Sequence, residues 1–266
     1  MQIAKSFLKQ KILPNLDPRV QRMIKSIGAG PVVSGLAAQV LPEAFQAWHR
    51  RRTFQDIYKN DRWGSVEGEK FYSGIRSRGS VVDTYVTNMA VLLEQHAREL
   101  GRSLIIIDLG CGDFTVGREL LTRIANAKYV GCDIVPELIL HNRVNNKNPN
   151  IVFREIDIVE DNLPDGDVCL IRQVLQHLSN ADVSRVLPKL TKYHAVYITE
   201  GHPVILEGPV NPDKPIGSNV RFDWNSGKGR GLELDKAPFD RSVKEICRVN
   251  SCPTEHVVTF RVDCRT

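Results

Sequence analysis

The sequence has no apolar run near the roughly 20 residues that a membrane-spanning helix requires, which excludes an integral helical membrane protein. It has no C-x-x-C pair among its six cysteines, so cysteine-rich zinc modules and dithiol redox motifs are excluded as well. Cys111, Cys132 and Cys169 fall in or beside strand-like segments and read as small buried thiols of a reducing compartment. No internal repeat or low-complexity tract is present. The first residues also lack the apolar core and small-residue cleavage site of a secretory signal, and they read as part of a mature, cytoplasmic protein. What remains is an ordinary globular composition, 42% apolar and 25% charged over 266 residues. That length suits one large α/β domain with an accessory segment.

The net charge of +5 is unevenly spread. The first 60 residues hold ten Lys or Arg, Arg50, Arg51 and Arg52 among them, against Asp17, Glu43 and Asp56, so this part carries +7 and the remainder −2. A basic segment beside a nearly neutral domain suits a phosphorylated acceptor, peripheral contact with an anionic membrane, or nucleic acid; a solvated helix surface accounts for it equally well.

Apolar residues recur at helical spacing over residues 3–13 and 20–27, with Pro14 between them, and again over residues 37–58. A turn-rich stretch holding Trp63-Gly64, Ser73-Gly74 and Gly79-Ser80 follows. Ser80 is placed to cap a helix that Gly101 stops. Strands are expected at 104–109, 129–134, 151–158, 168–171, 195–199 and 256–262, with helices after the first and second and one near 182–190 between the fourth and fifth. Such alternation builds a parallel sheet covered on both faces. Residues 201–240 show no periodicity, as expected of a segment that covers a site or moves. The expected division is a helical, basic segment and cap over 1–79 and a cofactor-binding domain over 80–266.

The chemistry is concentrated at the strand ends. Ile105-Ile106-Ile107-Asp108-Leu109-Gly110-Cys111-Gly112-Asp113 is an apolar strand entering a glycine turn, where Gly110 and Gly112 allow close backbone approach to a ligand. A dinucleotide fingerprint needs a third glycine where Thr115 stands, and the acidic Asp108 suits a free ammonium better than a pyrophosphate. Asp133 ends the second strand and can accept both hydroxyl hydrogens of a ribose, with Ile134 beside it. Asp157, followed by Ile158, can accept from an adenine amino group.

In order and spacing, Asp108-x-Gly110-x-Gly112, Asp133 and Asp157 resemble the cofactor motifs of class I S-adenosylmethionine-dependent methyltransferases. That resemblance implies a Rossmann-like α/β fold: a mostly parallel seven-stranded sheet with a reversed last strand, helices on both faces, and a helical amino-terminal segment. It also implies S-adenosylmethionine along the carboxyl ends of the strands, with Asp108, Gly110, Gly112, Asp113, Asp133, Ile134, Asp157, Ile158 and Gln173 as cofactor-binding residues. The segment Arg172-Gln173-Val174-Leu175-Gln176-His177-Leu178 is similar to the family's stretch after the fourth strand. His177 is the candidate general base, since an imidazole of pKa near 6.5 is largely neutral at pH 7; a buried histidine bonded to a neighbouring loop is the alternative. The rate is then expected to fall between about pH 6 and 7 unless burial moves that value. Gln173 stands where some relatives place a metal-binding acid, so no metal is expected there.

Upstream, Tyr58, Trp63-Gly64 and the Ser73-to-Ser80 turn resemble a subgroup of these enzymes associated with bacterial surface polysaccharides, although its tight Ser-Gly-x-Gly-Ser is expanded here. Tyr58 and Trp63 offer flat faces for an acceptor, or simply pack in the core. Ser73 and Ser80 are candidates for the methionine carboxylate. The reading is O-methylation of a small-molecule or glycan acceptor, with Arg172 orienting a phosphate or carboxylate. Methylation of RNA or protein and a non-catalytic cofactor-binding regulator are the alternatives; an Asn/Asp-Pro-Pro-Tyr/Phe base-methylation motif is absent, and a nucleic-acid partner is not expected.

Overall fold

The computed structural model describes residues 43–264, with side chains from residue 46. The chain forms two units, residues 1–46 and 47–266, and all of the described strands belong to the second. The helices expected over 3–27 and most of the basic amino-terminal charge lie outside the described residues.

Helix α1 is Glu43–Lys59 and helix α2 is Ser80–Leu100. Strand β1, Ile105–Leu109, leads into α3, Thr115–Leu121; β2, Lys128–Asp133, leads into α4, Pro136–Asn145. Then come β3, Ile151–Glu155, β4, Val168–Arg172, α5, Asn180–Val186, and β5, Ala195–Pro203. The short strands β6, Ile205–Leu206, β7, Phe222–Asp223, and β8, Lys228–Gly229, make a small separate sheet. The hairpin of β9, Ser242–Cys252, and β10, Glu255–Asp263, completes the chain.

The main sheet has the order β3-β2-β1-β4-β5-β10-β9, parallel from β3 to β5, with β10 antiparallel to both of its neighbours. Strands alternate their side chains between the two faces, so Ile106 packs with Val86, Met89 and Leu93 of α2 while Ile107 packs with Val183, Val186 and Leu190 on the other side. Burial on both faces is why these strands read as unbroken apolar runs. The chain order reverses between β1 and β4, and open α/β sheets bind ligands in the crevice at such a point.

Several details depart from expectation. The hydroxyl of Ser80 caps nothing: Gly79, with a left-handed φ of 69°, is the N-cap residue, and no side chain accepts there. Gly101 does close the helix, with φ 64°. Strand β9 has no counterpart among the expected strands, because as an outer strand it buries neither face fully and its sequence shows little alternation. Residues 201–240 contain the β6-β8-β7 sheet and the continuation of β5.

Residues 47–79 belong to the same compact unit as the sheet, whereas the sequence suggests a division at 79/80. The reason is visible at Arg50, only 1% exposed. Its guanidinium donates to Asp157 (2.9 Å), to Asp182 (3.1 Å) and to Glu160, tying α1 to the segment after β3 and to α5. Arg51 pairs with Glu155 (2.6 Å) and Arg52 with Asp56 (3.5 Å), so the triplet that reads as free basic surface is neutralised within the protein.

Removing one partner of a buried ion pair strands the other charges. Arg50→Ala is therefore expected to lower unfolding stability by about 3–5 kcal/mol, read by urea denaturation, and Arg50→Lys should recover only part of it because an ammonium lacks the guanidinium fork.

Candidate active site

A cavity of about 670 Å³ opens at the carboxyl ends of β1, β2 and β4. Tyr58 and Trp63, Asp108, Gly110, Gly112 and Asp113, Asp133 and Ile134, Asp157 and Ile158, and Arg172, Gln173 and His177 all line it. The topology thus brings these expected site residues to one place.

Asp133 is buried, and its carboxylate accepts from the backbone amides of Gly112 (3.2 Å) and Val135 (3.1 Å). Burial lifts its pKa to about 6 against the pull of these amides. Asp108 is likewise pushed up to about 6 by burial, although the Tyr129 hydroxyl donates to it and Arg172 lies nearby. Both carboxylates face a void that a cationic, hydroxyl-bearing ligand would fill.

The glycine turn is shaped by the protein as much as by any ligand. A Cβ on Gly110 (φ 83°) would lie 2.2 Å from Val174 Cγ2, and one on Gly112 (φ 54°) would lie 2.4 Å from Ser73 Oγ. Both positions therefore need glycine for conformation and for close approach. Asp113 closes the turn: its carboxylate accepts from the amides of Thr115 (3.0 Å) and Ser73 (2.9 Å) and from Arg78 (3.0 Å), while Ser73 Oγ accepts from the Asp113 amide (2.9 Å). Asn142 reaches across from α4 to donate to the Gly112 carbonyl (2.8 Å).

Asp157 is held by Arg50 and by the amide of Val159 (3.0 Å), and burial raises its pKa despite the guanidinium. Tyr58 shares a hydrogen bond with Ser73 (3.1 Å), and its ring meets Trp63 edge-on at 5.2 Å. Trp63 also lies 5.2 Å from the His177 ring. Ser80 is exposed and is not part of the cavity wall.

After β4 the chain turns sharply, with Gln173 at φ 56°. Three nitrogens on the cavity wall, Trp63 Nε1, Arg172 Nε and Gln173 Nε2, are buried without a hydrogen-bond partner among the described residues. Arg172 spends one donor on the Arg76 carbonyl (2.6 Å), lies 5.1 Å from the Tyr85 ring, and has no ion-pair partner among the described residues. His177 is buried; Nδ1 lies 3.1 Å from the Gly217 carbonyl and Nε2 3.4 Å from the Gln176 amide nitrogen. Burial drives its pKa down to about 4, aided by Lys214.

Residues 107–195 match a family model described as a methyltransferase domain. The match runs from β1 to the first residue of β5. S-adenosylmethionine is the cofactor such a domain implies, and the donors and carboxylates that line the cavity fit it. A search of curated proteins finds no match. Among solved structures, the bifunctional kinase-methyltransferase WbdD is similar at 19% identity and a TM-score of 0.50; the match covers 76% of this chain and 43% of WbdD, less than half its length. Magnesium protoporphyrin IX methyltransferase (ChlM) from Synechocystis PCC 6803, solved with bound SAM, is similar at 14% identity and a TM-score of 0.51, over 80% of this chain and 96% of that one. At such identities the likeness is one of fold. No described helix is long and apolar enough to cross a membrane.

Sequence reasoning missed Arg50, Arg76, Asn219, Trp224 and Glu255, which also line the cavity. Arg76 pairs with Glu255 and stacks 3.3 Å over the Trp224 ring. Their signal is distributed over three distant segments, and only the fold joins them.

If the Asp133 carboxylate accepts ribose hydroxyls, Asp133→Asn should weaken S-adenosylhomocysteine binding by about 1.5–3 kcal/mol, the size of a lost hydrogen bond to a charged group. Because the ionised form is the one that accepts, affinity should hold above pH 7 and fall as the pH drops through about 6. Calorimetric titrations of both proteins across that range measure this, and a flat profile with unchanged affinity would remove Asp133 from the cofactor site.

Proposed function

We propose that the protein is an S-adenosylmethionine-dependent methyltransferase that O-methylates a small-molecule or glycan acceptor bearing a phosphate or carboxylate. The observation that carries this reading is Arg172: a guanidinium on the cavity wall, without an ion-pair partner among the described residues and with its Nε unsatisfied, five residues before a neutral imidazole on the same wall. A buried, incompletely paired cation is costly unless something anionic binds it. Arg50, Arg51 and Arg52 are paired within the protein, which removes part of the support for a nucleic-acid or membrane surface.

The cofactor supplies a methyl group already activated by its sulfonium. The protein's own share is to bind, align and deprotonate. Asp133 holds the ribose, and Ile134 and Ile158 give apolar walls for the adenine ring. Asp157 accepts from its amino group while anchored by Arg50. Asp108 attracts the ammonium, and the unpaired Gln173 amide faces the same region. Asp113, also on the cavity wall, holds the 73–78 segment against the turn. Tyr58 and Trp63 wall the acceptor side, where Arg172 orients the acidic group.

In this reading His177 takes the acceptor's proton on Nε2, since Nδ1 is directed at the Gly217 carbonyl. With a pKa near 4 it is neutral at any physiological pH. The expectation of a rate falling between pH 6 and 7 from this residue is therefore corrected, because desolvation favours the uncharged ring.

Radiolabelled methyl transfer from S-adenosylmethionine into fractionated extract tests the activity and sorts the acceptor by charge. With an acceptor in hand, His177→Ala should lower turnover by about a hundredfold or more, the usual contribution of positioned proton transfer, with cofactor affinity nearly unchanged. At saturating cofactor, wild-type turnover should stay level to below pH 6 and fall only as the pH approaches about 4. Near-normal turnover in the variant would make His177 structural.

A further inference from the structure

At the amino end of β5, away from the cavity, two imidazoles converge on one carboxylate. His96 and Glu99 are three apart on α2 and so share a helix face; His194 immediately precedes β5, whose far end lies toward the cavity side. His96 Nδ1 lies 3.1 Å from Glu99 Oε2, and His194 Nε2 lies 3.7 Å from the same oxygen. One atom from each of the three residues can be chosen so that all lie within 4.8 Å of one another.

We propose that His96, Glu99 and His194 bind a zinc-class divalent cation that clasps the end of α2 to the start of β5. Ligands about 2.0–2.1 Å from a tetrahedral zinc ion stand about 3.4 Å apart, and the two measured separations bracket that spacing. Two imidazoles and a carboxylate are a donor set zinc accepts, with water in the fourth position. The supporting contacts match those of metal-bound residues as well. His96 Nε2 lies 2.8 Å from the buried Tyr197 hydroxyl, which can accept its proton and leave Nδ1 free as a ligand. Gln95 donates to the other oxygen of Glu99 at 2.8 Å, steadying the carboxylate. His96 is buried, while the side chains of His194 (41% exposed) and Glu99 (45% exposed) leave an entry path. Arg261 nearby opposes a cation, and the Glu99 charge offsets it.

The site shares no residue with the methyltransferase cavity, so its test is independent of the proposed activity. The whole chain is stripped with EDTA and titrated with zinc chloride at neutral pH by calorimetry, and its melting temperature is followed with and without zinc. One equivalent should bind and the melting temperature should rise, by mass action on the native state. His194→Ala and Glu99→Gln should each weaken binding at least tenfold, and Tyr197→Phe by about 10–100-fold, as for other supporting partners of a ligand histidine. S-adenosylhomocysteine binding, unchanged in His194→Ala and Glu99→Gln, shows that the variants are folded. Absence of zinc binding at micromolar concentrations by the wild type would overturn the site, as would binding of equal strength in both variants.

Discussion

The arrangement rests on taking one guanidinium out of water. Arg50 sits among Asp157, Asp182 and Glu160, and three carboxylates so close together would repel one another strongly without it. Because its partners follow β3 and belong to α5, the helix that carries Arg50 has one place on the sheet. Phe54 and Ile57, one and two turns further along, are then buried in the same core as Leu138 and Leu175, and Tyr58 and Trp63 arrive at the cavity wall. A salt-bridge cluster therefore sets the position of an aromatic wall, and one of its members, Asp157, is itself on the cavity.

The glycine turn obeys a second constraint of the same kind. Val174 fills the space beside Gly110 and Ser73 that beside Gly112, so the segments after β4 and before α2 are both keyed into the turn after β1. Asp113 reinforces the second contact with three hydrogen bonds to the 73–78 segment, its carboxylate accepting from the Ser73 amide and Arg78 and its own amide donating to Ser73 Oγ. The glycine turn is thus held in its bend by side chains of two other segments.

Much of this was legible in the sequence because buried parallel strands have little choice of residue. The isoleucine run of β1 and the helical spacing through Val82, Val86, Met89 and Leu93 both follow from burial on a known side, and the carboxylate ending β2 stands out against such a run. Strand β9 escaped notice for the converse reason: at the sheet's edge, polar residues are tolerated along both faces. Arg50 looked like its neighbours Arg51 and Arg52, since nothing local tells a buried arginine from two exposed or half-exposed ones. The basicity of His177 was legible only as a type-average, because the shift to about 4 comes from the residues folded over it.

Two sets of wall residues differ in where they come from. Asp108, Asp133 and Arg172 lie on strands of the sheet, whereas Trp63, Arg76, Asn219 and Trp224 lie in connecting segments outside it. Substitutions in a connecting segment leave the strand register untouched, while those at Asp108 or Asp133 unpair the Tyr129 hydroxyl or the Gly112 and Val135 amides. Under mutation and selection the two sets would drift at different speeds. The loop-borne part of the cavity wall can thus be reshaped while the strand-end floor beneath it stays as it is.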